Sequence, residues 1–198
     1  MYGAPPSITA EIYTEVPEAL RIRGRSSEWL YGRGGAAPHS FLEGPSFDRE
    51  GNLWLTDIVF GRIFRVNPAG AWTVVAEYDG EPNGLAFHRE GWAAITDAKR
   101  GLLRLNPQTG EVSSLLPRAR REGFRGVNDC TFSKTGDLFF TDQGQTGLQD
   151  PAGRVYRLRA GAQQADALVS NVPSPNGLVL TEDGHTLYVA ATRDNAIW

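Results

Sequence analysis

Hydrophobic and polar positions alternate in short runs along most of the chain, and the runs repeat. One stretch reads EGPSFDREGNLWLTDIVFGRIFRVNPAGAWTVVAEY over residues 43–78. The next reads NGLAFHREGWAAITDAKRGLLRLNPQTGEVSSLL over 83–116. A third reads NDCTFSKTGDLFFTDQGQTGLQDPAGRVYRLRAGAQQADALV over 128–169, and a fourth NGLVLTEDGHTLYVAATRDNAIW over 176–198. Each unit keeps one order. A short run (Ser46–Phe47, Leu85–Phe87, Thr131–Phe132, Leu178–Leu180) leads into a turn. The turns are DREGN, HREG, SKTG and TEDG, where glycine supplies the positive φ. A second run follows (LWLTD, WAAITD, LFFTD, LYVAA), then a third (GRIFRVNP, GLLRLNP, GRVYRL, NAIW). A fourth, such as WTVVAEY, closes the unit. Runs this short, rich in β-branched and aromatic residues and punctuated by glycine and proline, predict strands.

The first residues of the units are Glu43, Asn83, Asn128 and Asn176, spaced by 40, 45 and 48 residues. Four-strand units at this period mark a β-propeller, whereas a solenoid has shorter and more uniform repeats. The expectation is an all-β chain forming a single propeller domain over 1–198. Propellers close with about four to eight blades. Three complete units and part of a fourth therefore predict an incomplete fragment, truncated at the C-terminal side. The segment ITAEIYTEV (8–16) alternates like a strand. It is expected to complete a blade whose other strands lie past Trp198.

Composition narrows the functional classes. The 198 residues carry a formal net charge of −3, which offers no electrostatic case for nucleic acid. The densest basic stretch, PRARREGFR (117–125), reads as a solvated loop. The single cysteine, Cys130, excludes an intrachain disulfide and reads as a small buried hydrophobe. A disulfide-free chain fits a cytoplasmic location. No apolar run is long enough to predict a membrane span. The N-terminus, MYGAPPSITAEIYTEV, lacks the basic and apolar regions of a leader. His39, His88 and His185 sit in turn contexts without ligand spacing and read as surface residues.

The chemistry gathers at the start of the repeat. In a propeller the innermost strands surround one axis, so equivalent positions of successive blades converge. Here they hold one carboxylate, Glu43, and three carboxamides, Asn83, Asn128 and Asn176. Hard oxygen donors of low total charge suit Ca²⁺, which tolerates irregular geometry. Zinc calls for His or Cys, and magnesium for tighter octahedral order. Any one Asn before a strand is also a good turn residue. Four oxygen-bearing residues in register point to a shared metal or substrate role. Asp57, Asp97 and Asp142, which recur at the end of the second run, read as loop caps.

The motifs EGPSFD with GNLWLTD, GVND with GDLFFTDQG, and PSPNGLVLTEDGHTLYVA resemble the senescence-marker-protein/gluconolactonase family, which includes regucalcin. The resemblance covers nearly all of 43–198 and implies a six-bladed propeller with a divalent cation, commonly calcium, on its axis. It implies hydrolysis of sugar lactones or related esters. By the same resemblance Glu43, Asn128 and Asn176 are metal ligands. The family's fourth ligand, an Asp opening a later blade, has no counterpart within these residues and is the expected main base. Asp129, next to Asn128, is a second candidate carboxylate for activating water. Asn83 is expected to bind substrate, and Gln143 and Gln145 to line the mouth of the site. Some relatives carry a substrate-binding Arg two residues before the ND Asn. That position is Gly126 here, and Arg125 is the nearest arginine. Two other functions use the same features: phosphotriester hydrolysis on the same site, or calcium binding without catalysis.

Overall fold

The computed structural model describes residues 6–31 and 33–198; residues 1–5, part of the N-terminus considered above for a leader, lie outside the described residues. Each repeat unit is one antiparallel sheet. The first blade comprises β1 (Leu42–Phe47), β2 (Leu53–Asp57), β3 (Arg62–Val66) and β4 (Trp72–Glu77). The second comprises β5 (Pro82–Phe87), β6 (Ala93–Asp97), β7 (Gly101–Leu105) and β8 (Val112–Leu116). A small hairpin, β9 (Arg118–Ala119) and β10 (Glu122–Gly123), precedes the third blade. That blade is β11 (Val127–Phe132), β12 (Leu138–Asp142), β13 (Gly153–Leu158) and β14 (Ala165–Val172). The fourth holds β15 (Pro175–Leu180), β16 (Leu187–Ala191) and β17 (Ala196–Ile197). In every sheet sequential strands are spatial neighbours, and β1, β5, β11 and β15 contact one another in turn. The arrangement is the expected all-β propeller, here four consecutive blades.

The turn chemistry explains why the strands reverse where they do. After β1, Asp48 Oδ1 accepts the N–H groups of Glu50 and Asn52 at 3.0 and 2.8 Å, and Gly51 takes φ +78°. The aspartate imposes the turn through its side chain, and the glycine supplies a conformation that L side chains avoid. Asp48 Oδ2 also accepts the Trp54 indole N–H at 2.7 Å, which ties the turn to the core.

The core lies between blades. Trp54 and Ile63 of the first blade pack with Leu85, Ala93, Ile95, Leu103 and Leu105 of the second. Ala94, Leu102 and Leu116 of the second pack with Val127, Cys130, Phe140 and Tyr156 of the third. Val155 and Val172 meet Val189 and Ala191 of the fourth. Both faces of the second strands are thus covered in the first three blades, and β6 is buried along its whole length, whereas Tyr188 of β16 is exposed. Each large side chain so buried contributes about 1.5–3 kcal/mol. Cys130 is in this core as expected, and burial pushes its thiol pKa up.

Three expectations change. Stretch 117–125 is not a plain loop: β9 and β10 pair as a hairpin, and Ala119 joins the apolar cluster between the second and third blades. His88 is not a surface residue. It is buried, its ring stacks on Trp92 at 4.6 Å, and burial lowers its pKa. The HREG turn lies at the seam between two blades, which gave the ring apolar neighbours. Residues 8–16 are not a strand here, and Ile8, Ile12 and Tyr13 are exposed. Thr14 Oγ1 accepts the Trp72 indole N–H of β4 at 2.9 Å, a side-chain contact, and the segment joins no sheet among the described residues. Farther along, Leu20 packs on Leu55, Phe64 and Val66, and Ile22, Trp29 and Leu30 pack on Ile58, Val59 and Phe60. No helix among the described residues is long and apolar enough to cross a membrane.

Candidate metal and substrate site on the inner strands

The inner strands begin three to four residues earlier than the apolar pattern predicts, which brings the donor residues inside them. Glu43, Asn83, Asn128 and Asn176 are each the second residue of β1, β5, β11 and β15. A common irregularity explains their presentation. Pairing of each inner strand with its neighbour slips between Glu43 and Ser46, Pro82 and Leu85, Val127 and Cys130, and Pro175 and Leu178. In blades two to four this is a bulge with two inner-strand residues facing one on the second strand. A bulge re-aims side chains away from the regular pleat. It falls on Asn83–Gly84, Asn128–Asp129 and Asn176–Gly177.

Asn83 and Asn128 are buried, and Glu43 and Asn176 half-buried. Among the described residues none of these four side chains hydrogen-bonds to the protein, while the main-chain carbonyls of all three asparagines do. Their polar atoms are not sealed from solvent, since among the described residues the one buried side-chain polar atom without a partner is Ser27 Oγ, so the four side chains stay free to bind another group. Burial raises the Glu43 carboxyl pKa, and the nearby charge of Asp129 raises it further. The two carboxylates therefore share one region with the asparagines. No group of three His, Cys, Asp or Glu side chains forms a metal cluster among the described residues. The donor set is instead two carboxylates and three carboxamides, which fits a hard cation such as Ca²⁺ and not zinc.

Asp129 takes the place that Gly44, Gly84 and Gly177 hold in the other inner strands. Its Oδ1 accepts the Cys130 N–H at 2.8 Å, and its Oδ2 accepts the Leu178 N–H of the next blade at 3.2 Å. Burial raises its pKa against the pull of those two bonds. The remaining lone pairs leave it able to accept a proton from a nearby group.

The other predicted residues lie beside Asn128. Gln143 N–H donates to Gly126 O at 2.9 Å, and Gln145 Nε2 donates to Gln143 Oε1 at 3.3 Å. Gln145 packs over Gly126, where a Cβ would come within 2.6 Å of its Nε2. Loop 143–145 and the Arg125–Gly126 turn thus form one rim. Arg125 and Gln145 are exposed and Gln143 half-buried. The Arg125 main-chain N–H is held by Asp142 Oδ1 at 2.8 Å. The aspartates ending the second strands act as caps, as expected. Asp57 Oδ1 accepts the Phe41 N–H, and Asp97 Oδ1 those of Lys99 and Arg100.

The family model for the SMP-30/gluconolactonase/LRE-like region matches residues 41–198, four blades that include every residue of the site. The chain belongs to this family. Within it, lactonase drp35 of Staphylococcus epidermidis is 28% identical over 163 residues, covering 79% of this chain and 49% of the relative. Strictosidine synthase-like 2 of Arabidopsis thaliana is 33% identical over 125 residues, covering 57% of this chain and 33% of the relative. The chain therefore spans about half the length of the lactonase it matches. Among solved structures, a gluconolactonase from Xanthomonas campestris superposes with a TM-score of 0.71 at 24% identity, over 80% of this chain and 57% of the other. A calcium-binding regucalcin from Agrobacterium tumefaciens gives 0.66 at 23% identity, over 79% and 52%. At these identities the superpositions carry the fold alone.

Sequence reasoning missed the bulges and the contacts made by the threonines opposite them. The only available signal was the Thr-Asp pair that ends LWLTD, AAITD and LFFTD.

Proposed function

We propose that the full-length protein is a divalent-cation-dependent hydrolase of sugar lactones or related esters. The observation that carries this reading is the register of Glu43, Asn83, Asn128 and Asn176, second in four successive inner strands of a chain in this family. A scaffold has no need of unpartnered oxygen donors at those places. Glu43, Asn128 and Asn176 would hold the cation, with calcium the best match to their chemistry. When bound, it supplies Lewis-acid polarisation of the ester carbonyl. Asn83 binds and orients the substrate from the neighbouring blade. Gln143, Gln145 and Arg125 form a polar rim for substrate hydroxyls. Asp129 is the carboxylate at hand to take a proton from attacking water, since burial keeps its pKa above the ordinary aspartate range.

The deciding experiment is hydrolysis of a sugar-acid δ-lactone by the full-length protein before chelation, after it, and after Ca²⁺ is returned. Activity should vanish with the cation and come back with it. Turnover that survives thorough chelation overturns the reading. A phosphotriester assayed in parallel distinguishes the ester classes.

A further inference from the structure

Three threonines stand in the same place in successive blades. Thr56, Thr96 and Thr141 are each fourth in the second strand and have no solvent exposure. Each hydroxyl donates across a blade boundary to the main-chain carbonyl of the next blade's asparagine. Thr56 Oγ1 reaches Asn83 O at 2.6 Å, Thr96 Oγ1 reaches Asn128 O at 2.6 Å, and Thr141 Oγ1 reaches Asn176 O at 2.7 Å. Two of them also accept from the bulge of their own blade. Thr96 Oγ1 takes the Gly84 N–H at 2.8 Å, and Thr141 Oγ1 takes the Asp129 N–H at 3.1 Å. The fourth blade has Ala190 at this position and no hydroxyl to continue the series.

The donors of the site come from different blades, so their spacing depends on how blades sit against one another. The blade seams are apolar, and apolar packing has no direction. A hydrogen bond does have direction. The bulge places the asparagine outside its own ladder, and the preceding blade supplies a partner for its carbonyl.

We propose that Thr56, Thr96 and Thr141 are positioning residues. Each fixes the main chain of one asparagine against the previous blade and so sets where its carboxamide stands. The proposal rests on the cation reading for Asn128 and Asn176 and on the substrate reading for Asn83. It therefore separates the threonines: Thr96 and Thr141 act on cation binding, and Thr56 on substrate binding.

The test uses the full-length protein, with Ca²⁺ affinity read by calorimetry and stability by thermal unfolding without metal. Thr96→Val and Thr141→Val should weaken Ca²⁺ binding by about 10–100-fold, the usual effect of losing a group that orients a ligand. Thr96→Ser and Thr141→Ser keep the hydroxyl and should bind Ca²⁺ like the wild type. Thr56→Val removes one hydrogen bond where each of the other two removes two, so it should lose less stability, keep its Ca²⁺ affinity, and raise KM for the lactone instead. Destabilisation of the three Val variants with unchanged Ca²⁺ affinity and KM overturns the proposal. If the wild type binds no Ca²⁺, the cation reading falls, and hydrogen exchange judges the threonines. Thr141→Val should then speed exchange at Leu178, a blade away, as well as at Asp129, and Ser should restore both. Unchanged protection at Leu178 overturns the positioning role.

Discussion

The Asp129 carboxylate occupies the space beside Gly84 that any larger residue would need. A Cβ on Gly84 would lie 2.6 Å from Asp129 Oδ1, 2.7 Å from Asp129 Cα and 2.9 Å from Asn128 O. Two of those atoms are main chain and have no rotamer to give. Gly84→Ala should therefore push the second and third blades apart at the donor residues and cost about 1–3 kcal/mol, the range for overpacking. Gly177 provides the control. Its Cβ would meet nothing nearer than Asp129 Oδ2 at 3.8 Å. Gly177→Ala should change stability by less than about 1 kcal/mol. Urea unfolding of both variants checks the contrast, and equal losses would show that the contact at Gly84 is not what constrains it.

Arg62 holds the N-terminal segment to the first blade through a buried ion pair. Its Nε and Nη2 donate to Asp57 Oδ2 at 2.8 and 2.6 Å, and its Nη1 donates to Leu20 O at 2.6 Å. Both side chains are almost fully buried. Arg62→Met leaves the Asp57 charge unpaired inside the protein, which costs about 3–5 kcal/mol. Adding Asp57→Asn removes that charge while keeping an acceptor for the Phe41 N–H. The double variant should recover part of the loss. It should not restore the tether, so limited proteolysis should cut within 18–40 in both.

Glu43 and Asn83 should separate by function. Glu43→Gln keeps the shape and an oxygen donor and removes only the charge. Ligand charge tunes the affinity of a hard-cation site, so Ca²⁺ binding should weaken by about tenfold or more. Asn83→Ala should leave Ca²⁺ affinity unchanged and raise KM for the lactone, the pattern expected when ground-state and transition-state binding are lost together. Calorimetry and steady-state kinetics on the same preparations test both. A loss of Ca²⁺ affinity in Asn83→Ala would move that residue into the cation site.

Local chemistry was legible in the sequence, and chemistry between blades was not. The turn at Asp48–Asn52 and the short apolar run that opens LWLTD depend on neighbours within about six residues, so pattern reading finds them. The register of Glu43, Asn83, Asn128 and Asn176 could be read because the repeat itself aligns them. The partner of Thr96 is the carbonyl of Asn128, 32 residues on in the next blade. No local pattern encodes that bond, and the threonine looks like any β-branched strand residue. His88 misled for the same reason: its turn is local, while Phe132, which packs against its ring edge-on at 5.0 Å, comes from the third blade. Residues 8–16 are unpaired here because alternation specifies a face and not a partner, and the strands expected to pair with them fall past Trp198.

Asp142 gives the fold a pH dependence whose sign follows from its burial. It is 3% exposed, and burial raises its pKa from 3.8 to about 6 against the pull of the Arg125 N–H and the charges of Arg154 and Arg125. In the unfolded chain the carboxyl loses its proton near pH 4; in the folded chain it keeps the proton to about pH 6. Between these values the folded state binds more protons, so this group's contribution to stability falls as pH rises. Over that window the loss is on the order of 2–3 kcal/mol at most. Asp142→Asn keeps an oxygen to accept the Arg125 N–H and has no charge to bury. Relative to the wild type, the variant should therefore gain stability between pH 4.5 and pH 7. Urea unfolding at both pH values measures the difference. A gap between variant and wild type that stays constant across this range would show that Asp142 ionises in the fold as freely as it does in water.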